Sequence, residues 1–223
     1  ISDLPQHTTA NTVLSDVEWG DILRKTKPGT APGNDGIPIR HLKRTEPEFA
    51  IVQELVRSII NLQLLSGYYP TCWHECELRP IPKPGTASTD LKGWRNISLL
   101  PVWEKLTERA VLHRLERVDR IGTSSSTHDS TSASSDKLPP TLSDTNYGYR
   151  AFAGTVDCLF DLVTCIHEGW RDDKNRITGM ILFDASAAYD RVPSPYVMYT
   201  LTRRYGAALG GRLLRWFDGF LSD

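Results

Sequence analysis

The sequence has 223 residues, a formal net charge of -1 and 39% apolar residues, six of them tryptophan. That length and apolar content suffice to bury a real core, which excludes wholesale disorder. The near-zero charge excludes a chain that holds nucleic acid by its global charge, so any such contact must be local.

In chain order, residues 1–27 read as a polar N-terminal extension with one helix over 15–25. Ser15 stands as its cap, with Glu18 three residues on, as in a capping box. TKPGTAPGNDGIP, residues 26–38, is a turn-rich loop whose Pro28-Gly29, Pro32-Gly33 and Asp35-Gly36 pairs break regular structure. AIVQELVRSIINLQLLSG, residues 50–67, has apolar residues at 52, 55, 56, 59 and 60, a helical period, and Gly67 suits its exit. CWHECELRPIPKPG reads as a strand edge running into a proline-rich loop. Residues 102–118 predict a second helix, with Pro101 at its start and a stripe of Val102, Leu106, Ala110, Leu112 and Leu115. Residues 122–145 carry almost no large apolar groups and read as a disordered polar insert.

A helix from Val156, a strand over 177–183 and helices over 196–205 and 209–220 complete the pattern, which favours an α+β fold. No stretch approaches 18 apolar residues, so no membrane span is expected. Cys72, Cys76, Cys158 and Cys165 read as free thiols in a reducing compartment, because nothing at the start resembles a secretory leader. Cys72-Trp73-His74-Glu75-Cys76 lacks a second ligand pair at zinc-site spacing and reads as a core or surface segment. The chain begins without Met and reads as a piece of a longer open reading frame.

GMILFDASAAYDRV, residues 179–192, poses the sharpest chemical question. Met180 to Phe183 shows no polar alternation and reads as a strand covered on both faces, with Asp184 where it would emerge. A buried unpaired carboxylate is costly, so Asp184 is expected to meet a metal, a cation or backbone N–H groups. Asp190 reads as an acid that closes a loop or pairs locally, with Arg191 beside it. Lys83 lies among prolines and reads as a solvated lysine, Arg95 as a stacking or ion-pair partner beside Trp94, and Tyr189 as a core or interface tyrosine. From Arg79 to Arg120 there are nine Lys or Arg and five Asp or Glu. Arg109, Arg114 and Arg117 either face nucleic acid or lace a helix edge with salt bridges.

FDASAAYDRV resembles the first catalytic palm motif of reverse transcriptases, in the form found in non-LTR (LINE-type) retrotransposons. Upstream segments follow in that family's order: TAPGNDGIP; LRPIPKPG with LKGWRNISLLPVWEKLTERAVLHRL in the fingers; and NYGYRAFAGTVDCLF before the palm strand. RYGAALGGRLLRWFDGFLSD resembles the helices that follow. The resemblance spans residues 28–223 apart from the insert, with the palm starting at 177. It implies an incomplete right-hand polymerase, fingers plus partial palm. It makes Asp184 a catalytic metal ligand, Lys83 and Arg95 groups near the incoming triphosphate, and Tyr189 the wall that excludes a 2′-hydroxyl. Asp190 matches the family's second acid. Arg150, with Arg109 and Arg114, would face nucleic acid.

The implied cofactor is Mg²⁺ in a two-ion site, with RNA template, DNA primer and deoxynucleoside triphosphates as partners. A nuclear location follows from the family's insertion chemistry alone, and the oligomeric state stays open. The fingers segments fit LINE-type elements better than group II intron or telomerase relatives. Ala151-Phe152-Ala153-Gly154 lacks the family's Gly-Arg-Ser run, and Asn96 stands where many relatives carry Pro. No Asp-Asp pair follows Asp184 in the 223 residues. The isolated chain is therefore expected to be inactive, and a non-enzymatic nucleic-acid-binding or structural derivative of such an element is the rival expectation.

Overall fold

A computed structural model describes residues 4–5, 8–85, 89, 93–124, 145–148, 153–172, 177–185, 188 and 191–222, with backbone alone at Thr9, 119–124 and Asp172. The chain divides into two units, Ile1–Ile121 with Pro193–Asp223, and Gly122–Val192.

The first unit is built on four helices and a hairpin. Helix α1, Asp16–Lys25, starts in the expected capping box: the Glu18 N–H donates to Ser15 Oγ at 3.2 Å, and the Ser15 N–H donates to Glu18 Oε2 at 3.0 Å. Helix α2, Pro47–Ser66, ends at Gly67. Strands β1, Glu77–Pro82, and β2, Trp94–Leu99, form an antiparallel pair. Helix α3 runs Val102–Ser124, six residues beyond the expected end and into the polar segment. The rest of the expected insert, 125–144, lies outside the described residues.

The last helix, α5, Ser194–Leu221, is broken at Gly210, with φ 73° and ψ 164°. The N-terminal strap fills the break. Gly211 N–H donates to Pro5 O at 2.9 Å, and Thr8 Oγ1 donates to Leu209 O at 3.1 Å. A Cβ on Gly210 would lie 2.6 Å from Pro5 O, so only glycine fits both the backbone angle and the approach. The two helices expected here are thus the two arms of α5.

One core holds this unit together. Leu14, Trp19 and Ile22 from the N-terminal segment meet Val56, Ile60 and Leu64 of α2, Leu106 and Ala110 of α3, and Leu213, Leu214 and Trp216 of α5. The boundary at residue 27 therefore does not separate two packed bodies. Two helix faces differ from expectation. Of the apolar positions on α2, Val56 and Ile60 are buried while Val52 and Leu55 are exposed, and Gln63 and Leu64 continue the buried stripe. On α3, Val111 is buried where Leu112 is expected to be.

Helix α2 is also long and apolar enough to cross a membrane by length and composition alone, although Glu48, Glu54 and Arg57 interrupt its apolar run. One stripe of it, Val56, Ile60 and Leu64, is fully buried in the core.

The second unit contains α4, Thr155–Asp172, opened by Gly154 N–H donating to Asp157 Oδ2 at 2.8 Å. The expected strand over 177–183 is not formed. This stretch has no ladder partner among the described residues, and Ile177 is 97% exposed and Phe183 93%. A strand that is apolar on both faces needs neighbours to pair with and layers to cover it. At the coarse level the elements are those of an α+β protein, helices with one small sheet.

Candidate functional site

The hairpin is held by a local chain of contacts that begins in the PGNDG turn. Asp35 Oδ2 accepts the N–H of Val102 at 3.0 Å, capping α3, while its Oδ1 accepts Ile37 N–H at 3.1 Å. Gly33 lies so close to the chain that a Cβ would sit 2.4 Å from the Leu100 carbonyl carbon. Lys105 Nζ donates to Ala31 O at 2.6 Å. The turn is thereby fastened to the junction where β2 ends and α3 begins.

The register sets which hairpin residues share a face. Arg79 pairs with Ile97, and Ile81 with Arg95. Directly opposed residues point the same way, and every second residue follows them. Lys83 extends that row, its N–H donating to Gly93 O at 2.7 Å. Lys83, Arg95 and Arg79 therefore lie on one face, interleaved with Ile81 and Ile97. Arg95 is exposed and Lys83 is half-buried. Arg79 pairs with Glu77 at 2.6 Å.

The other expected residues have different surroundings. Asp184 is exposed, belongs to the second unit and sits in irregular chain rather than at a strand end. Tyr189, Asp190 and Arg150 lie outside the described residues. Among the described residues no three His, Cys, Asp or Glu side chains are grouped to hold a metal ion. Arg109 is half-buried and lines a shallow cleft between α1 and α3 with Lys25, His113 and Glu116.

Arg114 is 1% exposed, and of its two readings only the structural one suits that burial. It donates to Glu18 Oε2 at 3.1 Å, to Thr12 Oγ1 at 2.9 Å, and to the carbonyls of Thr12 and Val13 at 3.3 Å. Its charge ties the N-terminal segment to α3. Burial alone would raise the Glu18 carboxyl, but the Ser15 N–H and the Arg114 guanidinium hold it below the usual range. Arg117, 3.6 Å from Glu18, is more exposed.

A second polar cluster has no clear signal in the sequence. Tyr69 OH donates to the buried Glu104 Oε1 at 2.6 Å, and Glu104 Oε2 has no hydrogen-bond partner among the described residues. Burial raises both groups. One turn on, Glu108 is pushed up to about 7 by burial and by the Glu104 charge. The i, i+4 spacing of two glutamates was visible in the sequence, but their burial was not. In the Cys72 to Cys76 segment, His74 stacks edge-on against Tyr69 with centroids 5.0 Å apart, and all four cysteines are free.

No protein-family model matches the chain. It is 28% identical over 182 residues to the RNA-directed DNA polymerase from mobile element jockey of Drosophila funebris, covering 82% of this chain and 18% of that protein. The Drosophila melanogaster jockey polymerase is 29% identical over 188 residues, 84% of this chain and 18% of that one. The Pol polyprotein of type-1 retrotransposable element R2 of Popillia japonica is 32% identical over 87 residues, 39% of this chain and 11% of that protein. The chain thus spans about a fifth of the length of the jockey polymerases. Matches that run through more than four fifths of its residues make the chain a homologue of the RNA-directed DNA polymerases of non-LTR retrotransposons.

Proposed function

We propose that this chain is the fingers and the opening of the palm of a reverse transcriptase that copies RNA into DNA. The observation that carries the reading is the hairpin register, which sets Lys83 and Arg95 on one face. Two cations on a face fastened by the PGNDG turn suit a triphosphate, whose charge they neutralise while a fixed backbone keeps their spacing. Ile81 and Ile97, both exposed, lie between them on that face. In this reading Asp184 is one ligand of a divalent-metal pair, Mg²⁺ by the hardness of its oxygen donors, and Tyr189 bounds the sugar. Arg109 and Arg150 contact template or primer, and the polymerase acts in the nucleus.

The donors present do not themselves fit a two-ion site. Asp184 supplies one carboxylate, and no Asp-Asp pair follows it in the 223 residues. The remaining acids must come from a second palm segment, so the isolated polypeptide extends no primer.

The test is a chimera in which residues 28–223 replace the matching segment of the Drosophila funebris polymerase. Lys83→Ala or Arg95→Ala should raise its KM for deoxynucleoside triphosphates about tenfold, the effect of losing one charge-assisted contact worth about 1.4 kcal/mol. An unchanged KM in both variants would remove the hairpin face from the triphosphate site.

A further inference from the structure

The hairpin that carries Lys83 and Arg95 is held at its base rather than along its length. Of its strand residues only Glu77, Trp94 and Leu99 are half-buried, and the rest are exposed. Glu77 and Leu99 oppose each other in the register, at the end nearest α3. A two-stranded ribbon without a packed face is marginal by itself, so its aim is set by whatever grips its ends.

The PGNDG turn grips both. Asn34 Nδ2 donates to Glu75 O at 3.4 Å, just before β1, and Gly33 packs against Leu100 and Pro101, just after β2. Asp35 ties these contacts to the helices. Its Oδ2 accepts Val102 N–H at 3.0 Å at the start of α3, where the preceding Pro101 offers no side-chain acceptor. Its Oδ1 accepts Ile37 N–H at 3.1 Å, and from there the chain enters the core through the buried Ile39 and Leu42. Val102 and Leu106 root α3 in the same core. One carboxylate thus joins two rooted segments at the point from which the hairpin leaves them.

The ribbon is a lever on that point. Lys83 lies six residues beyond Glu77, about 20 Å along a strand that rises about 3.4 Å per residue. A tilt of about 10° at the base moves its Cα by about 3 Å, enough to break a charge-assisted contact.

Resting on the reading of Lys83 and Arg95 as triphosphate contacts, we propose that Asp35 is a positioning residue. It sets the aim of the hairpin and so brings both cations to the nucleotide.

Two measurements test this. The first needs no activity. In the 223-residue chain, with Cys72, Cys76, Cys158 and Cys165 replaced by Ser, spin labels at Asn96→Cys and Leu62→Cys, both exposed, read the distance from hairpin to α2. Asp35→Ala should broaden a narrow distribution. Asp35→Asn, which keeps the shape and one acceptor oxygen, should broaden it less, and it carries the test if the alanine variant loses its far-UV helix signal. An unchanged distribution in a folded variant overturns the proposal.

The second uses the chimera. Asp35→Ala should raise the KM for deoxynucleoside triphosphates about tenfold or more, whereas simple loss of folded enzyme lowers kcat and leaves KM alone. On a background of Lys83→Ala with Arg95→Ala it should add less than about twofold, because it acts through them. A KM raised by Lys83→Ala but not by Asp35→Ala overturns the positioning role alone, as does a full additive effect in the triple variant. A KM that neither Lys83→Ala nor Arg95→Ala moves overturns the triphosphate reading and the role of Asp35 with it.

Discussion

Arg114 shows how one residue can carry a misleading charge. Its position in a run rich in Lys and Arg suits nucleic acid, yet its guanidinium is buried and bonded to Glu18, Thr12 and Val13. Nothing in the local pattern marks it, because its partners lie about a hundred residues away. Arg114→Ala strands the Glu18 carboxylate and should cost about 3 kcal/mol, read as a lower urea midpoint. Arg117→Ala, at an exposed position, should cost about 0.5 kcal/mol or less.

Glu108 gives a pH signature with a definite sign. Its carboxyl, raised from 4.5 to about 7, binds its proton more tightly folded than unfolded. Its contribution to stability is full below its ordinary value and is lost as pH rises through about 7. Wild type should therefore lose stability relative to Glu108→Gln between about pH 5 and about pH 8, measured by urea midpoints at both values. A difference that stays constant would contradict the assignment.

Among elements, those stated by local chemistry were the most legible. The Ser15 capping box, the PGNDG turn and the α2 exit at Gly67 all stand where the sequence sets them. Which face of a helix is buried was harder to read. Helix α2 carries apolar residues on more than one face, so the helical period at 52, 55, 56, 59 and 60 did not mark Val56 and Ile60 as buried and Val52 and Leu55 as exposed. Strand β2 was missed because WRNISL is mixed in polarity and mostly exposed, and it is held by its ladder with β1.

The converse holds for residues 177–183, which have strong strand formers and no ladder partner among the described residues. Their propensity is real, but a strand is a property of a pair. Hydrogen exchange should find amides 177–183 unprotected, while those of Val56, Ile60 and Leu64 exchange slowly. Comparable protection in both would mean that the apolar run is paired.

For the whole molecule, composition marked residues 1–27 as a polar N-terminal extension, and part of that stretch packs into the core. Leu14, Trp19 and Ile22 enter the same core as α2, α3 and α5, and the strap at Pro5 and Thr8 fills the break at Gly210. A polar average concealed the few residues that do the packing. The candidate site was legible only in part. Lys83 and Arg95 share a face that the register explains, whereas Asp184 belongs to no group of three or more potential metal ligands among the described residues. No Asp-Asp pair follows it in the 223 residues.

The most direct measurement is primer extension by the chimera that carries residues 28–223 in place of the matching segment of the Drosophila funebris polymerase. A Mg²⁺-dependent activity that Asp184→Ala reduces by at least about a thousandfold is the predicted result, since losing a ligand of the ion pair removes several kcal/mol of transition-state stabilisation. Extension that proceeds unchanged with Asp184→Ala, or a soluble chimera that binds primer and template and extends nothing, would contradict the account.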